Sequence, residues 1–312
     1  MSTTLYWLQG GGCGGDTWAF MNVESPHVSE LLGLLDIEVL WHPSLSHGSP
    51  GQYRALIEAI VAGDQPLDIL VVEGAIIRGP GGTGLYDAFD GQPKKDLVAR
   101  LSKRARFVIA AGTCASFGGI GADGEVEATG LQFLKDRPGG FLGRDFVSRS
   151  GQPVINLPGC PCSGDVISGT LTALISEVPL PLNEHNAPLQ WYDLLVHQGC
   201  IRNEYHEYRV EEADFGKRGC LFFHMGCRGP LAHGPCNKLL WNRRNSKTRA
   251  GVPCVGCTQP DFPQAGPFFQ TRSIADIPLE LPEGVDRAHY LAYKGMAAAA
   301  APERLKQRQR RV

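Results

Sequence analysis

The chain has 312 residues, with 30 Lys and Arg against 32 Asp and Glu and a formal net charge of -2. This length predicts about two domains, and the balanced charge excludes a protein that binds nucleic acid through its overall electrostatic field. No apolar run approaches the roughly 20 residues of a membrane-crossing helix, so we expect no transmembrane segment.

The first half alternates short apolar runs with segments of helical periodicity, which is typical of a parallel sheet with helices on its faces. The predicted strands are residues 4–8, 37–41, 68–72, 106–110 and 154–156. The predicted helices are residues 50–62, 94–103 and 166–176. We therefore predict an α/β fold, a doubly wound parallel sheet, over residues 1–178.

After residue 178 the pattern gives way to Pro, Gly, His and Cys with few periodic runs. Ordering such loops needs cross-links, which metal ligation supplies. We predict a second domain over residues 179–290 and an Ala-rich, then basic, tail over residues 291–312. We favour a solvated, frayed tail over one that docks on a partner or an anionic membrane surface. Its basic residues are Arg304, Lys306, Arg308, Arg310 and Arg311.

The cysteine content points to metal. The opening residues have no basic segment followed by a long apolar one, so we expect a cytoplasmic protein, with membrane association only through a partner. In a reducing compartment the ten cysteines are not expected to form disulfide bonds, and ligation is the default alternative.

Three cysteines of the first half follow predicted strands, namely Cys13, Cys114 and Cys160, and Asp16 lies three residues after Cys13. Parallel strands end at one edge of their sheet, so these loops should converge where α/β proteins bind ligands. A phosphate-binding turn is the alternative, but residues 10–16 lack the G-x-G-x-x-G spacing and the P-loop lysine.

The second half holds a denser set of ligand-type residues: His197, Cys200, Cys220, Cys227, Cys236, Cys254 and Cys257. Seven positions exceed what one tetrahedral zinc ion uses, so at least two centres are implied. Two Cys-rich zinc ribbons are one interpretation. Iron-sulfur clusters explain these residues and also the distant cysteines of the first half.

Six segments carry a family resemblance: WLQGGGC at 7–13, VEGAI at 72–76, GTCASFGGI at 112–120, LPGCP at 157–161, CLFFHMGCRG at 220–229 and PCVGC at 253–257. Together, in this order, they resemble the small subunit of nickel-iron hydrogenases. The resemblance implies a flavodoxin-like domain followed by a cluster-binding domain with little regular secondary structure. It also implies three iron-sulfur clusters, with the nickel-iron centre confined to a separate large subunit.

The resemblance also implies the ligand sets. The proximal cluster, four-iron or three-iron, would take Cys13, Asp16, Cys114 and Cys160. The distal four-iron cluster would take His197, Cys200, Cys220 and Cys227. The medial three-iron cluster would take Cys236, Cys254 and Cys257.

Asp16 departs from the family pattern, which has Cys-x-x-Cys at the first turn. It could instead cap the following helix. We favour ligation, with a three-iron cluster as the alternative if the harder carboxylate oxygen binds weakly. A subgroup associated with oxygen-tolerant, high-affinity hydrogen oxidation also carries Asp there.

Two further cysteine features depart from the pattern. Six residues separate Cys220 from Cys227, where five are expected. Cys162 matches no motif position, and we expect it to be a buried thiol beside the cluster. Glu73, in the segment that faces the large subunit in this family, is predicted to act in proton transfer or at that interface.

The resulting hypothesis is a subunit that carries electrons from H2 oxidation in the large subunit to an external acceptor near His197, such as a quinone or a redox protein. We expect oligomers of the heterodimer. The alternatives are a regulatory, hydrogen-sensing hydrogenase, a related quinone-reductase subunit, which lacks the second-half ligand array, and a zinc-stabilised binding module.

Overall fold

The computed structural model describes residues 2–122 and 124–308. The chain divides into two compact units, one running to Gln190 and including Thr258–Phe262, the other comprising Trp191–Cys257 and the chain from Pro263. Residues 179–190 thus lie with the first unit and residues 291–308 with the second. The predicted functional division at residues 178 and 290 stays a prediction. Arg310 and Arg311 lie outside the described residues.

The first unit is built on a five-stranded parallel sheet in the order β2-β1-β3-β7-β11. The strands of this unit are β1 (Thr3–Gln9), β2 (Ile37–Trp41), β3 (Ile69–Glu73), β4 (Ile76–Ile77), β5 (Ala88–Phe89), β6 (Gln92–Pro93), β7 (Phe107–Ala111), β8 (Ala128–Thr129), β9 (Phe133–Leu134), β10 (Arg137–Pro138) and β11 (Ile155–Leu157). The order of the five sheet strands is that of flavodoxin-like folds. All five predicted strands are confirmed, with ends displaced by at most one residue.

The helices of the first unit cover both faces of this sheet. They are α1 (Gly15–Met21), α2 (Val28–Leu34), α3 (Pro50–Ala62), α4 (Lys94–Ser102), α5 (Gly112–Phe117) and α6 (Gly164–Ile175). On one face Tyr6, Leu70 and Val108 pack with α3 and α4 in a single core. On the other face Trp7 stacks on Phe20 of α1 with ring centroids 5.4 Å apart. Alternate residues of each strand therefore serve opposite faces, and the sheet is doubly wound.

Helix α3 shows how local sequence sets the element bounds. The Ser49 hydroxyl accepts the Gln52 backbone N–H while the Gln52 side chain accepts the Ser49 N–H, which forms a capping box. Pro50 takes the first helical position, where no backbone donor is needed. The helix ends at Gly63, whose φ of 97° is open to glycine at little cost.

The second unit contains little regular structure. Its elements are α8 (Asn203–Glu207), α9 (Arg287–Ala299), α10 (Glu303–Lys306), β12 (Ser273–Ile274) and β13 (Ile277–Pro278), preceded by α7 (Leu189–Tyr192) at the division. The core is small and is built around cysteines, with Leu221, Phe222 and Phe223 packed against Cys220 and Cys227. This agrees with the expected cluster-binding domain of little regular secondary structure.

The expected frayed tail is contradicted at residues 301–306, whereas residues 291–299 of helix α9 have no buried side chain and residues 309–312 lie outside the described part of the chain. Ala301 and Leu305 are 4% and 2% exposed and pack against Val210. Arg304 forms an ion pair with Glu204. Two apolar side chains four residues apart give the tail an apolar face to bury, so residues 301–306 are held in place.

Within the described part of the chain, no helix is both long and apolar enough to cross a bilayer.

His42 is a buried titratable group that follows strand β2. It is 1% exposed, lies 5.1 Å from the Trp7 ring and accepts the Ser44 backbone N–H at Nδ1 over 3.1 Å. Burial lowers its pKa to about 4, although the Glu73 carboxylate acts in the opposite direction. The ring is therefore neutral in the folded chain at pH 7.

We predict that stability falls as the pH drops from 6.5 towards 4, because the unfolded chain then binds a proton at His42 that the folded chain excludes. Between pH 7.5 and 5 the free energy of unfolding should fall by about 2 kcal/mol more in the wild type than in His42→Phe. Thermal unfolding of both proteins across this range measures the difference. Equal losses in both would contradict the assignment.

Candidate cluster-binding sites

The parallel sheet brings the predicted proximal residues to one edge. Cys13 lies between β1 and α1, Cys114 in α5 directly after β7, and Cys160 in the loop after β11. Burial, followed by the charges of Cys160, Asp16 and Cys13, raises the pKa of the Cys114 thiol to about 11. Cys13, Asp16 and Cys160 thus all lie close enough to Cys114 for their charges to act on its thiol. Their part as cluster ligands stays a prediction.

Asp16 does not cap its helix. The N-cap of α1 is Gly14, and no side chain caps it. The Asp16 carboxylate is 7% exposed, and its Oδ1 accepts the Cys162 backbone N–H over 2.6 Å. Burial, assisted by the nearby Glu73 charge, raises its pKa to about 7 against the opposing effect of the Cys162 hydrogen bond. The carboxylate is turned inward beside the loop that carries Cys160, and Cys162 is buried as expected.

Two glycines make room for these ligand-type atoms. A Cβ on Gly112 would lie 2.2 Å from Asp16 Oδ2, and a Cβ on Gly119 would lie 2.5 Å from Cys114 Sγ. Both residues have positive φ, 83° and 58°. Any other residue type would therefore be strained and would also displace the side chain beside it.

Glu73 is 1% exposed, and its carboxylate accepts four hydrogen bonds. Its Oε1 accepts the backbone N–H groups of Asp16 and Thr17 over 2.9 and 3.0 Å. Its Oε2 accepts Trp7 Nε1 over 3.0 Å and also the Thr17 hydroxyl. Glu73 therefore holds the first turn of α1, which contains Asp16, against strands β1 and β3. Its predicted part in proton transfer or at an interface stays a prediction.

The four predicted distal residues line one cavity of the second unit. The cavity has an empty volume of about 320 Å3, part of it open to solvent, and its walls include His197, Cys200, Cys220 and Cys227. Both Cys220 and Cys227 line this cavity, although the spacing between them is one residue longer than expected. Burial and the neighbouring Cys200 charge raise the pKa of Cys227 to about 11, although hydrogen bonds from the Gly229 and Cys254 backbones oppose the shift.

Sequence reasoning missed two residues at this cavity. Arg202 lines it, and its guanidinium donates to the carbonyl oxygens of Lys217, Gly219 and Thr248 over 2.6 to 2.8 Å. His206 Nδ1 lies 3.4 Å from Cys220 Sγ, and its ring centroid lies 4.6 Å from that of His197. Burial, His197 and Arg209 lower the pKa of His206 to about 3. The H-x-x-C spacing points to His197 alone, and nothing in the sequence ties His206 to Cys220.

The predicted medial cysteines also converge. The charge of Cys257 adds to burial in raising the pKa of Cys236 to about 11, and both residues act likewise on Cys254. The Cys254 backbone N–H donates to Cys227 Sγ over 3.3 Å, which joins the medial and distal sets directly. Lys247, also missed from the sequence, donates through Nζ to Cys257 Sγ over 3.7 Å.

The chemistry of these donors fits iron-sulfur clusters. Among residues 2–122 and 124–308, no three His, Cys, Asp or Glu side chains meet as closely as the ligands of a single metal ion do. A cluster is a larger cage, and its thiolates are bound to different irons. Thiols that raise one another's pKa ionise together only when a cation neutralises them, and cluster iron supplies that charge.

The fold and these sites define a class of redox protein, an α/β domain joined to a cysteine-rich domain. Residues 13–174 match the family described as NADH ubiquinone oxidoreductase, 20 Kd subunit. Residues 192–270 match the family described as the C-terminal part of the NiFe/NiFeSe hydrogenase small subunit.

Individual relatives agree with this result. The F420 non-reducing hydrogenase I small subunit of Methanosarcina mazei is 32% identical over 289 residues, covering 84% of this chain and 74% of that protein. The periplasmic [NiFe] hydrogenase small subunit 1 of Nitratidesulfovibrio vulgaris is 28% identical, with 86% and 82% coverage. The actinobacterial-type NiFe-hydrogenase of Ralstonia eutropha H16 superposes with a TM-score of 0.78 at 26% identity, covering 95% of this chain and 88% of that one.

The chain belongs to the family of nickel-iron hydrogenase small subunits. It is thus the electron-transfer subunit of a hydrogenase. Small subunits of this family carry iron-sulfur clusters and pair with a large subunit.

Gly112→Ala should disrupt the proximal set more than its backbone strain alone explains, because the new methyl group collides with the Asp16 carboxylate. Gly143→Ala is the matched control, since Gly143 has a φ of 87° and open space where a Cβ would lie. Both variants should lose about 1–2 kcal/mol to strain. Only Gly112→Ala should also lose bound iron, measured per chain in the purified heterodimer. Equal iron content in both variants would show that the collision with Asp16 does not affect iron binding.

Proposed function

We propose that this chain oxidises no hydrogen itself but conducts electrons from H2 oxidation in its large subunit through three clusters to an external acceptor. The observation that carries this proposal is that the predicted ligands lie in three groups: around Cys114, along the distal cavity and around Cys254. When bound, the clusters accept and release single electrons. The contribution of this chain is to space, bury and hydrogen-bond their ligands.

The proposed order of transfer is proximal, medial, distal. The hydrogen bond from the Cys254 N–H to Cys227 Sγ supports a direct medial-to-distal step. His197 lines the distal cavity and is half-buried, so an acceptor is proposed to dock near it. For the acceptor we propose only a chemical class, namely a quinone or a redox protein. Assembly of heterodimers into larger oligomers is proposed with it.

The proximal edge is the proposed docking site of the large subunit. Cys13 is exposed in this chain, and the large apolar side chains of Trp18 and Ile120 are each 73% exposed. Trp18 lies on α1, which begins two residues after Cys13, and the backbone of Ile120 hydrogen-bonds to the Cys114 thiol. Exposed aromatic and aliphatic side chains around a ligand set favour a partner that covers them. A part for Glu73 in proton transfer to this partner remains proposed.

We propose a proximal cluster held by three cysteines and Asp16, a four-iron distal cluster and a three-iron medial cluster. The Asp ligand would place the chain with the oxygen-tolerant, high-affinity subgroup. The regulatory, hydrogen-sensing role remains the second candidate, and turnover with a soluble or membrane acceptor separates it from H2 oxidation. Cytoplasmic location is likewise proposed, while relatives from Nitratidesulfovibrio vulgaris and Desulfomicrobium baculatum are named as periplasmic enzymes.

Metal analysis tests the cluster assignment. Three clusters require about ten to twelve iron atoms per chain with matching acid-labile sulfide. The measurement is made on the heterodimer purified without oxygen. A colourless protein with stoichiometric zinc would instead establish the zinc-stabilised module and end the electron-transfer proposal.

Asp16→Cys tests the carboxylate ligand. If Asp16 binds iron, a softer thiolate should change both the paramagnetic resonance spectrum and the midpoint potential of the proximal cluster. Asp96→Cys is the control, because Asp96 also lies in the first turn of a helix, α4, but its side chain is exposed and pairs with Lys95. Spectra of both variants are compared with the wild type in oxidised and reduced states. An unaltered proximal spectrum in Asp16→Cys would remove Asp16 from the ligand set.

A further inference from the structure

Lys247 places a cationic group directly at the predicted medial ligands. Its Nζ donates to Cys257 Sγ over 3.7 Å, and the charges of Cys257, Cys254 and Cys236 all act on its ammonium group. The residue as a whole is exposed, so the side chain reaches inward from the surface and places its charge at the cysteines.

The charge of Lys247 is not balanced by an acid. Among residues 2–122 and 124–308, no carboxylate forms an ion pair with it. Arg228 offers a contrast: its side chain lies near Gly256, between Cys254 and Cys257, but its guanidinium pairs with Glu280 over 2.6 Å. Lys247 therefore brings to the medial cysteines a positive charge with no carboxylate paired to it among the described residues.

We infer that Lys247 is a tuning residue that raises the reduction potential of the medial cluster. The inference rests on the proposed function, because it takes Cys236, Cys254 and Cys257 as cluster ligands. Each one-electron reduction adds a negative charge to the cluster, and a nearby cation stabilises that charge. A hydrogen bond to a ligand sulfur acts in the same direction, since it withdraws electron density from the cluster. Lys247 supplies both.

The size of the effect follows from the distance. A unit charge about 4 Å from a ligand sulfur, at the effective dielectric constant of roughly 20 found near protein surfaces, contributes more than the free energy of a tenfold change in an equilibrium constant. Solvent and salt screen part of it. We therefore expect about a tenfold change in the ratio of reduced to oxidised medial cluster at fixed potential, which corresponds to about 59 mV for one electron.

The consequence for the protein is a medial cluster that holds its electron more readily. An electron that arrives there is retained until the distal cluster can accept it through the Cys254 to Cys227 contact. The potential of the medial step is thus set by a residue that is not a ligand.

The experiment is a redox titration of the heterodimer monitored by paramagnetic resonance, with Lys247→Met and Lys247→Arg compared to the wild type. Lys247→Met removes the charge at similar length and should lower the reduced-to-oxidised ratio of the medial cluster about tenfold. Lys247→Arg retains the charge and should keep this ratio close to that of the wild type. The control is Lys238→Met, which removes an exposed lysine close in sequence to Cys236 and should leave the ratio unchanged.

The outcomes separate the two proposals. Iron content is measured first, and a wild type without cluster iron refutes the proposed function and this inference together. With the clusters present, an unchanged ratio in Lys247→Met overturns the role of Lys247 alone. A fall of equal size in Lys238→Met also overturns it, because the effect would then follow net charge. If Lys247→Met fails to load iron, Lys247→Gln keeps a polar side chain and carries the same expectation.

Discussion

Thiol groups that lie close together and away from water cannot all ionise unless a cation neutralises them. Burial and mutual repulsion raise the pKa of Cys114, Cys227 and Cys236 to about 11, and they also raise the pKa of Cys220 and Cys254. Such groups are poor sites for bare thiolates and good sites for iron, which supplies the missing positive charge. We therefore expect the stability of the cysteine-rich unit to depend on bound iron.

The two units meet this constraint by different means. In the first, a rigid parallel sheet presents its loops at one edge, and the buried Glu73 carboxylate fixes the turn that carries Asp16. The described residues of the second unit form no sheet of this size. Individual side chains connect separate segments of the chain instead. Arg202 ties three carbonyl oxygens together at the distal cavity. Such a unit lacks the broad apolar core that would order it without ligands.

Local chemistry explains which elements were predictable. The sheet strands read as continuous apolar runs because both faces are covered by helices, and α3 carries its own capping signals at Ser49 and Gly63. The role of Asp16 was harder, because an acid before an apolar stretch suits an N-cap equally well. Its hydrogen-bond partner, the Cys162 N–H, lies 146 residues away along the chain. The burial of residues 301–306 was missed for the same reason, since Val210 covers Ala301 and Leu305 from a distant segment.

The order of the six motifs by itself indicated the family, and the alternation of apolar runs with helical segments by itself predicted the parallel α/β fold, because both are local patterns of the chain. The division of the ligand-type residues into three sets follows from the family resemblance and stays a prediction. Only the tertiary structure decided which other side chains act on those residues. Lys247 at Cys257, His206 at Cys220 and the donors around Glu73 are brought there by long-range packing. Charge and hydrogen bonding act through space, so the distances that set their strength exist only once the chain has folded.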